Sequence, residues 1–219
     1  MAKKKGYYYN SSAYEEAIRT LRTNIQFSDV DKKIKKILIT SSVPNEGKTT
    51  VSINLAKSFA KNNFKVLLID CDLRNPSVNK ELKIENNVGL TNVLLKKRDL
   101  ASAIMKDYDE KNLDILLSGP IPPNPAEILS SNAMKNTIKE LEEKYDYIIM
   151  DTPPTGIITD AAILSTISDG VIFVARENYT KKEQIGAAIE SIYKVGGRFI
   201  GVVMTFAKNE NSKYGGYYK

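Results

Sequence analysis

An apolar run, Ile37-Leu38-Ile39, leads into Thr40-Ser41-Ser42-Val43-Pro44-Asn45-Glu46-Gly47-Lys48-Thr49-Thr50, and a helical pattern follows from Val51 to Ala60. A strand, a turn ending in Gly-Lys and a helix, in that order, direct the chain toward an α/β architecture. Main-chain N–H groups before Gly47 and the positive end of the helix form a cradle for phosphate oxygens. Gly47 lets the backbone approach without a Cβ, Lys48 adds a mobile positive charge, and Thr49 offers a hydroxyl to a bound Mg²⁺. The expected nucleotide contacts are Pro44, Asn45, Glu46, Gly47, Lys48, Thr49 and Thr50. Only the second half of the G-x-x-x-x-G-K-[ST] pattern is met, because Ser42 stands at the first glycine. An ordinary strand-to-helix turn with a surface lysine is the competing reading.

Two further apolar strands end in carboxylates: Val66-Leu67-Leu68-Ile69-Asp70-Cys71-Asp72 and Tyr147-Ile148-Ile149-Met150-Asp151. A buried parallel strand that stops at Asp places that charge at the carboxyl edge of the sheet, where open α/β folds bind ligands. Strands are also expected at Leu113 to Leu117, Val171 to Ala175 and Phe199 to Met204. Helices are expected near Asp160 to Ile167 and from Lys181 to about Val195, with a longer one carrying Ile128, Leu129, Met134, Ile138 and Leu141. Residues 76–112 read as mostly helical with turns. This rhythm predicts a mostly parallel sheet with helices on both faces.

Before the first strand, Ser12 can cap a helix from Ala13 to about Phe27, with Ala17, Ile18, Leu21 and Ile25 as its apolar stripe. Glu16, Arg19 and Arg22 fall three apart in a charged row, which by itself reads as ion pairing on a wet face. Residues 1–11 and 207–219 lack apolar periodicity and read as flexible tails around a domain of residues 12–206. The second tail carries Tyr214, Tyr217 and Tyr218, and the first carries Tyr7, Tyr8 and Tyr9.

The 219 residues are 42% hydrophobic and 26% charged, which suits one globular domain, and no apolar run approaches the roughly 20 residues of a membrane span. A cytoplasmic chain is expected. With no histidine and one cysteine, Cys71, the chemistry falls to carboxylates, lysines and hydroxyls. The net charge of +6 is spread along the chain, so nucleic acid is not an expected partner.

The loop from Ser42 to Thr49, Asp70-x-Asp72-Leu73-Arg74, Asp151-Thr152-Pro153-Pro154, Glu16-x-x-Arg19-x-x-Arg22 and the terminal tyrosines together resemble a bacterial tyrosine kinase. The similarity is to the capsule or exopolysaccharide kinases of Gram-positive bacteria, and it covers nearly the whole length. The resemblance implies the P-loop NTPase fold of the deviant-loop ATPase group, with ATP as phosphoryl donor and Mg²⁺ as cofactor. It implies that Lys48 holds β- and γ-phosphates and that Thr49, Asp72 and Asp151 organise the metal. Asp70 would take the proton of the incoming tyrosine, giving Asp70, Lys48 and Asp72 as the catalytic set. Glu16, Arg19 and Arg22 would form a subunit interface in a ring, and Tyr214, Tyr217 and Tyr218 would be phosphorylated in a neighbouring active site. Implied partners are a membrane-embedded activator with a cytoplasmic tail, tyrosine-bearing protein substrates and a tyrosine phosphatase. The activator would hold this chain at the membrane.

Relatives often carry Asn after the last strand to read adenine. Here Thr205 or a backbone group would substitute. One rival is an ATPase switch of the ParA or MinD type. Such ATPases usually carry an early loop lysine, and Ser41, Ser42 and Val43 occupy that region here. A noncatalytic, nucleotide-binding adaptor is the second rival, and the intact Lys48, Thr49, Asp70, Asp72 and Asp151 argue against it.

Overall fold

The computed structural model describes residues 12–28 and 34–207. The tyrosine-bearing ends, including Tyr7, Tyr8, Tyr9, Tyr214, Tyr217 and Tyr218, lie outside the described residues.

The elements β1 (Lys36–Ser41), β2 (Val66–Asp70) and β5 (Tyr147–Asp151) form the middle of the sheet. Their residues are almost all buried because helices cover both faces, and this is why they read as continuous apolar runs and not as alternation. β3 (Met105–Lys106), β4 (Leu113–Leu116), β6 (Gly170–Arg176) and β7 (Phe199–Thr205) complete a seven-stranded sheet in the order β3-β4-β2-β5-β1-β6-β7. All neighbouring pairs are parallel except β3 with β4. This mostly parallel sheet is the architecture expected from the sequence.

The helices of one face include α1 (Ser12–Phe27) and α2 (Lys48–Ala60). With the sheet they close a core that includes Ile25, Val51, Leu55, Phe59, Ile149 and Val174. Phe59 stacks on Tyr147 with ring centroids 3.9 Å apart. The second core includes Leu67, Phe173 and residues of α7 (Asn132–Glu142), α8 (Asp160–Ser165) and α9 (Lys182–Lys194).

Three local differences from the expectations have physical causes. The segment 76–112 contains α3 (Val78–Leu82), α4 (Leu90–Leu94) and α5 (Leu100–Ala103), but it also contributes β3, an edge strand too short to show a period of two. The helix expected around Ile128 to Leu141 is two helices, α6 (Pro125–Ser130) and α7. Ser131 separates them in an extended conformation, and its hydroxyl caps α7 by accepting the Met134 N–H at 3.2 Å. The charged row of α1 is split: Arg19 pairs with Glu16 at 3.1 Å in solvent, while Arg22 turns onto α2.

Candidate functional site

Parallel pairing of β1, β2 and β5 brings their carboxyl ends together, and the loop of residues 42–47 rises from β1 among them. Asp70 and Asp151 sit opposite each other in the register of β2 and β5. Gly47 precedes α2 with φ 90°, a left-handed conformation that side chains rarely tolerate. A Cβ added there would also meet the Thr205 side chain at 3.4 Å. Glycine thus allows the left-handed turn that leads the loop into the first turn of α2.

Asp151 is the hub of the carboxylate cluster. Its Oδ2 accepts the Thr49 hydroxyl at 2.7 Å and its Oδ1 accepts the Ser52 hydroxyl at 2.9 Å. Thr49 Oγ1 also lies 2.8 Å from Ser77 Oγ. Asp70 has no exposed surface, and its oxygens accept the N–H groups of Asp72, Ser77 and Val78 at 3.1 to 3.2 Å. Oδ2 takes the Ser77 and Val78 N–H groups and Oδ1 takes only that of Asp72, so these bonds orient the carboxylate and leave a lone pair free on Oδ1. Asp72 Oδ1 accepts the N–H groups of Arg74 and Asn75, which folds the segment after β2 into a tight turn.

Burial raises all three carboxyl groups. For Asp70 burial acts first and the Asp151 charge second, lifting it to about 8. Burial lifts Asp151 to about 6, against the opposing pull of the Lys48 ammonium and its two hydroxyl donors. Asp72 is raised by burial while its hydrogen bond from Asn75 and the Lys48 charge lower it. The neighbouring acids Asp72 and Asp151, both drawn on by the Lys48 charge, form a site that a divalent cation would relax. Thr49, Asp72 and Asp151 present oxygen donors, the chemistry that Mg²⁺ takes. Among the described residues no three acidic, histidine or cysteine side chains converge into a cage. Mg²⁺ needs none, since it binds through one or two carboxylates, waters and substrate phosphates.

Of the expected nucleotide contacts, Glu46 behaves differently at its side chain. It is wholly buried, with Oε2 accepting the Val43 N–H at 2.8 Å and Oε1 accepting the Thr180 hydroxyl. Its main-chain oxygen accepts the Thr205 hydroxyl at 2.6 Å. The carboxylate thus ties the loop to the segment after β6, and only the Glu46 main chain remains for a phosphate. Thr205 gives its hydroxyl proton to the loop, so this side chain has no donor left for a base edge. On the same side the Arg176 guanidinium lies 4.3 Å from the Phe206 ring centroid and 5.1 Å from that of Tyr179. These three residues and Glu46's fastening role are the features that sequence reasoning missed. Phe206, directly after the last strand, was the available signal.

Arg74, quoted in the sequence only as part of a motif, has a defined partner. Its Nε and Nη2 donate to the two oxygens of the fully buried Asp160 at 2.7 and 3.1 Å, pinning the turn after β2 to the start of α8. Far from these strand ends, Arg22 Nη1 donates to Ser58 O at 3.1 Å and lies 3.3 Å from Ser58 Oγ. Of the three residues in the charged row of α1, then, Glu16 and Arg19 face solvent and Arg22 docks the helix on α2. Among the described residues no helix is long and apolar enough to cross a membrane.

The AAA domain family matches residues 34–199. The tyrosine-protein kinase YwqD of Bacillus subtilis (strain 168) is 46% identical over 207 residues, covering 94% of this chain and 87% of that protein. The putative tyrosine-protein kinase CapB of Staphylococcus aureus is 35% identical, covering 94% of this chain and 91% of its own length. Among solved structures, the chimerical protein CapA2B2 superposes with a TM-score of 0.84 at 34% identity, covering 90% of this chain and 86% of the chimera. The MinC:MinD cell division complex of Aquifex aeolicus is more distant, with a TM-score of 0.65 at 26% identity over 78% of this chain and 68% of its own. The ATPase-switch reading therefore rests on a distant relationship of fold. With near-full-length similarity to named kinases and a nucleotide-type phosphate loop beside paired carboxylates, the chain belongs to the bacterial tyrosine-protein kinases.

Proposed function

We propose that the chain transfers the γ-phosphoryl group of ATP to tyrosines, beginning with Tyr214, Tyr217 and Tyr218 of a neighbouring copy, and that this switch controls capsular or extracellular polysaccharide synthesis. The observation that carries the reading is the meeting of Thr49, Asp70, Asp72 and Asp151 beside Lys48 at the end of three adjacent parallel strands.

Lys48 and the N–H groups of the loop and of the first turn of α2 hold the phosphates. Thr49, Asp72 and Asp151 hold Mg²⁺, which when bound neutralises charge on the phosphate oxygens. Asp151 also keeps Thr49 and Ser52 oriented. Asp70 takes the phenolic proton as the tyrosine oxygen bonds to the γ-phosphorus and the bridging oxygen leaves with ADP. In its ionised form, a carboxylate raised to about 8 is a better proton acceptor for a phenol near 10 than an ordinary one near 4. Because Asp70 is covered, the phenol reaches it only when the segment 72–77 shifts.

Arg176 and Phe206 flank the base side of the loop, where a stacked purine would be held by its face, and this supports base binding with little reading of its edge. Glu16 and Arg19, exposed on α1, are the members of the charged row that would meet another copy in a ring, with Arg22 holding their helix in place. A membrane-embedded activator with a cytoplasmic tail would place this chain at the membrane. The name of the CapA2B2 chimera, a fusion relative, is consistent with such a pairing. Tyrosine-bearing proteins and a tyrosine phosphatase complete the partners.

The test is incubation with Mg²⁺ and ATP, with and without the activator tail, followed by mass spectrometry. Phosphotyrosine in the terminal cluster that vanishes in Lys48→Met is expected. ADP release with no modified tyrosine under either condition would overturn the kinase mechanism.

A further inference from the structure

The turn between β3 and β4 presents Tyr108 as no other described tyrosine is presented. Its side chain is 90% exposed, and its hydroxyl has no hydrogen-bond partner among the described residues. By contrast, Tyr145 donates to Asp114 at 2.7 Å, Tyr147 is buried against Phe59, and Tyr179 lies under the Arg176 guanidinium. Tyr193 packs edge-on to Phe199, and Tyr14 is half-buried.

The turn is built, not slack. Asp107 Oδ1 accepts the N–H groups of Asp109 and Glu110, both at 2.9 Å, while the Asp107 N–H donates to Leu113 O at 3.0 Å. Lys57 of α2 holds Asp109 at 3.2 Å, and Lys61 holds Glu110 at 3.5 Å. The result is a fixed tip with Tyr108 at its apex, its neighbours' carboxylates drawn back onto the lysines of α2.

We propose that Tyr108 is a second phosphoacceptor, modified in trans by another copy of this chain; this rests on the kinase reading above. Topology excludes the copy's own site. The turn enters the amino end of β4, where Leu113 pairs with Val66, whereas Asp70 lies at the carboxyl end of β2. Four steps along β2 from Val66 to Asp70, at about 3.3 Å each, separate the two by roughly 13 Å of rigid sheet. The reaction is the same as at the tail. The Tyr108 oxygen bonds to the γ-phosphorus of ATP in the second copy, the bridging bond breaks to release ADP, and the phenolic proton passes to that copy's carboxylate.

The product carries about −1.5 to −2 charges beside Asp107, Asp109 and Glu110. It competes for Lys57 in the last turn of α2 and Lys61 just after it, at the end of the helix on which Arg22 docks α1. Tyr108 phosphorylation thus reports on the surface next to the proposed subunit interface.

The experiment mixes isotopically heavy Lys48→Met chain, as acceptor, with light wild-type chain and Mg-ATP, with a heavy Lys48→Met, Tyr108→Phe chain in parallel. Peptide mapping reads the heavy chain alone. Phosphate on Tyr108 of the heavy acceptor, absent when the wild-type chain is omitted, is expected on at least a tenth of molecules. The Tyr108→Phe acceptor should still be modified in its terminal cluster. A heavy acceptor phosphorylated at Tyr214, Tyr217 or Tyr218 but not at Tyr108 overturns the proposal alone. Tyr108 phosphate confined to the light chain overturns modification in trans. No phosphotyrosine on any chain overturns the kinase reading together with it.

Discussion

Replacing Glu46 by alanine tests whether the buried carboxylate holds the phosphate loop. The change deletes the acceptor of the Val43 N–H and of the Thr180 hydroxyl together. Hydrogen bonds to a charged group contribute about 1.5–3 kcal/mol each. Val43 and Thr180 are only half-buried, so water recovers part of that loss, and removing a desolvated carboxylate recovers more. A net loss of about 2 kcal/mol in loop ordering follows, which is roughly a 30-fold weaker affinity for Mg-ADP. Glu46→Gln keeps an oxygen for Val43 and offers Thr180 a neutral amide, so about 1 kcal/mol and roughly a fivefold loss are expected. Titration calorimetry with Mg-ADP measures both variants, and urea unfolding reports whether each is folded. Thr180→Val should lose part of the same energy, and its effect should be non-additive with Glu46→Ala because the two share one bond. A folded Glu46→Ala protein that binds Mg-ADP within twofold of wild type would refute the idea that this side chain sets the loop.

Asp70→Asn should lower the tyrosine-transfer rate by about 10²- to 10⁴-fold, the range of a general base, while Mg-ADP affinity changes little; equal losses in both would mark Asp70 as a metal or nucleotide residue. The pH dependence follows from raised carboxyl groups. Asp70 keeps its proton in the folded chain up to about 8 but loses it near 4 when unfolded, so nucleotide-free stability should fall as pH rises between those values. Thermal unfolding at pH 6 and pH 8.5 checks this, and Mg-ADP should flatten the fall by favouring the ionised forms. Arg74→Ala leaves Asp160 buried without its partner; since Arg74 is 40% exposed and water can enter, a loss of about 2 kcal/mol in urea unfolding is expected, and no change would show the pair to be dispensable. Arg22→Ala should release α1 from α2, seen as faster amide exchange over residues 13–26 with the sheet unaffected; unchanged protection would place the docking in the apolar stripe of α1 alone.

Legibility varied with the range of the interactions. Thr49 and Lys48 could be placed at the start of a helix from sequence because strand, loop and helix follow one another within a few residues. The three strands ending in the loop, Asp70 and Asp151 were visible as apolar runs with polar ends. Arg22 could not be separated from Glu16 and Arg19 by spacing, since its direction is decided by Ser58 on another helix. Glu46 could be named but its task could not, because Thr180 and Thr205 reach it from 134 and 159 positions further along the chain. The edge strand β3 was too short for any periodic signal.

The sequence by itself determined the alternation of strands and helices, hence a mostly parallel sheet, because continuous apolar strands need helices on both faces and parallel pairing needs crossovers. It also determined that the chemistry would be phosphate, hydroxyl and carboxylate chemistry, since no histidine is present. Only the tertiary structure decided the strand order, and the order is what matters at the site. It sets β5 between β2 and β1, which puts Asp151 against Asp70 and gives it the hydroxyl of Thr49, 102 positions away. Burial of three carboxylates in one place then raises their proton affinity, a property that none of them has in its own segment and that arises from shared exclusion of water.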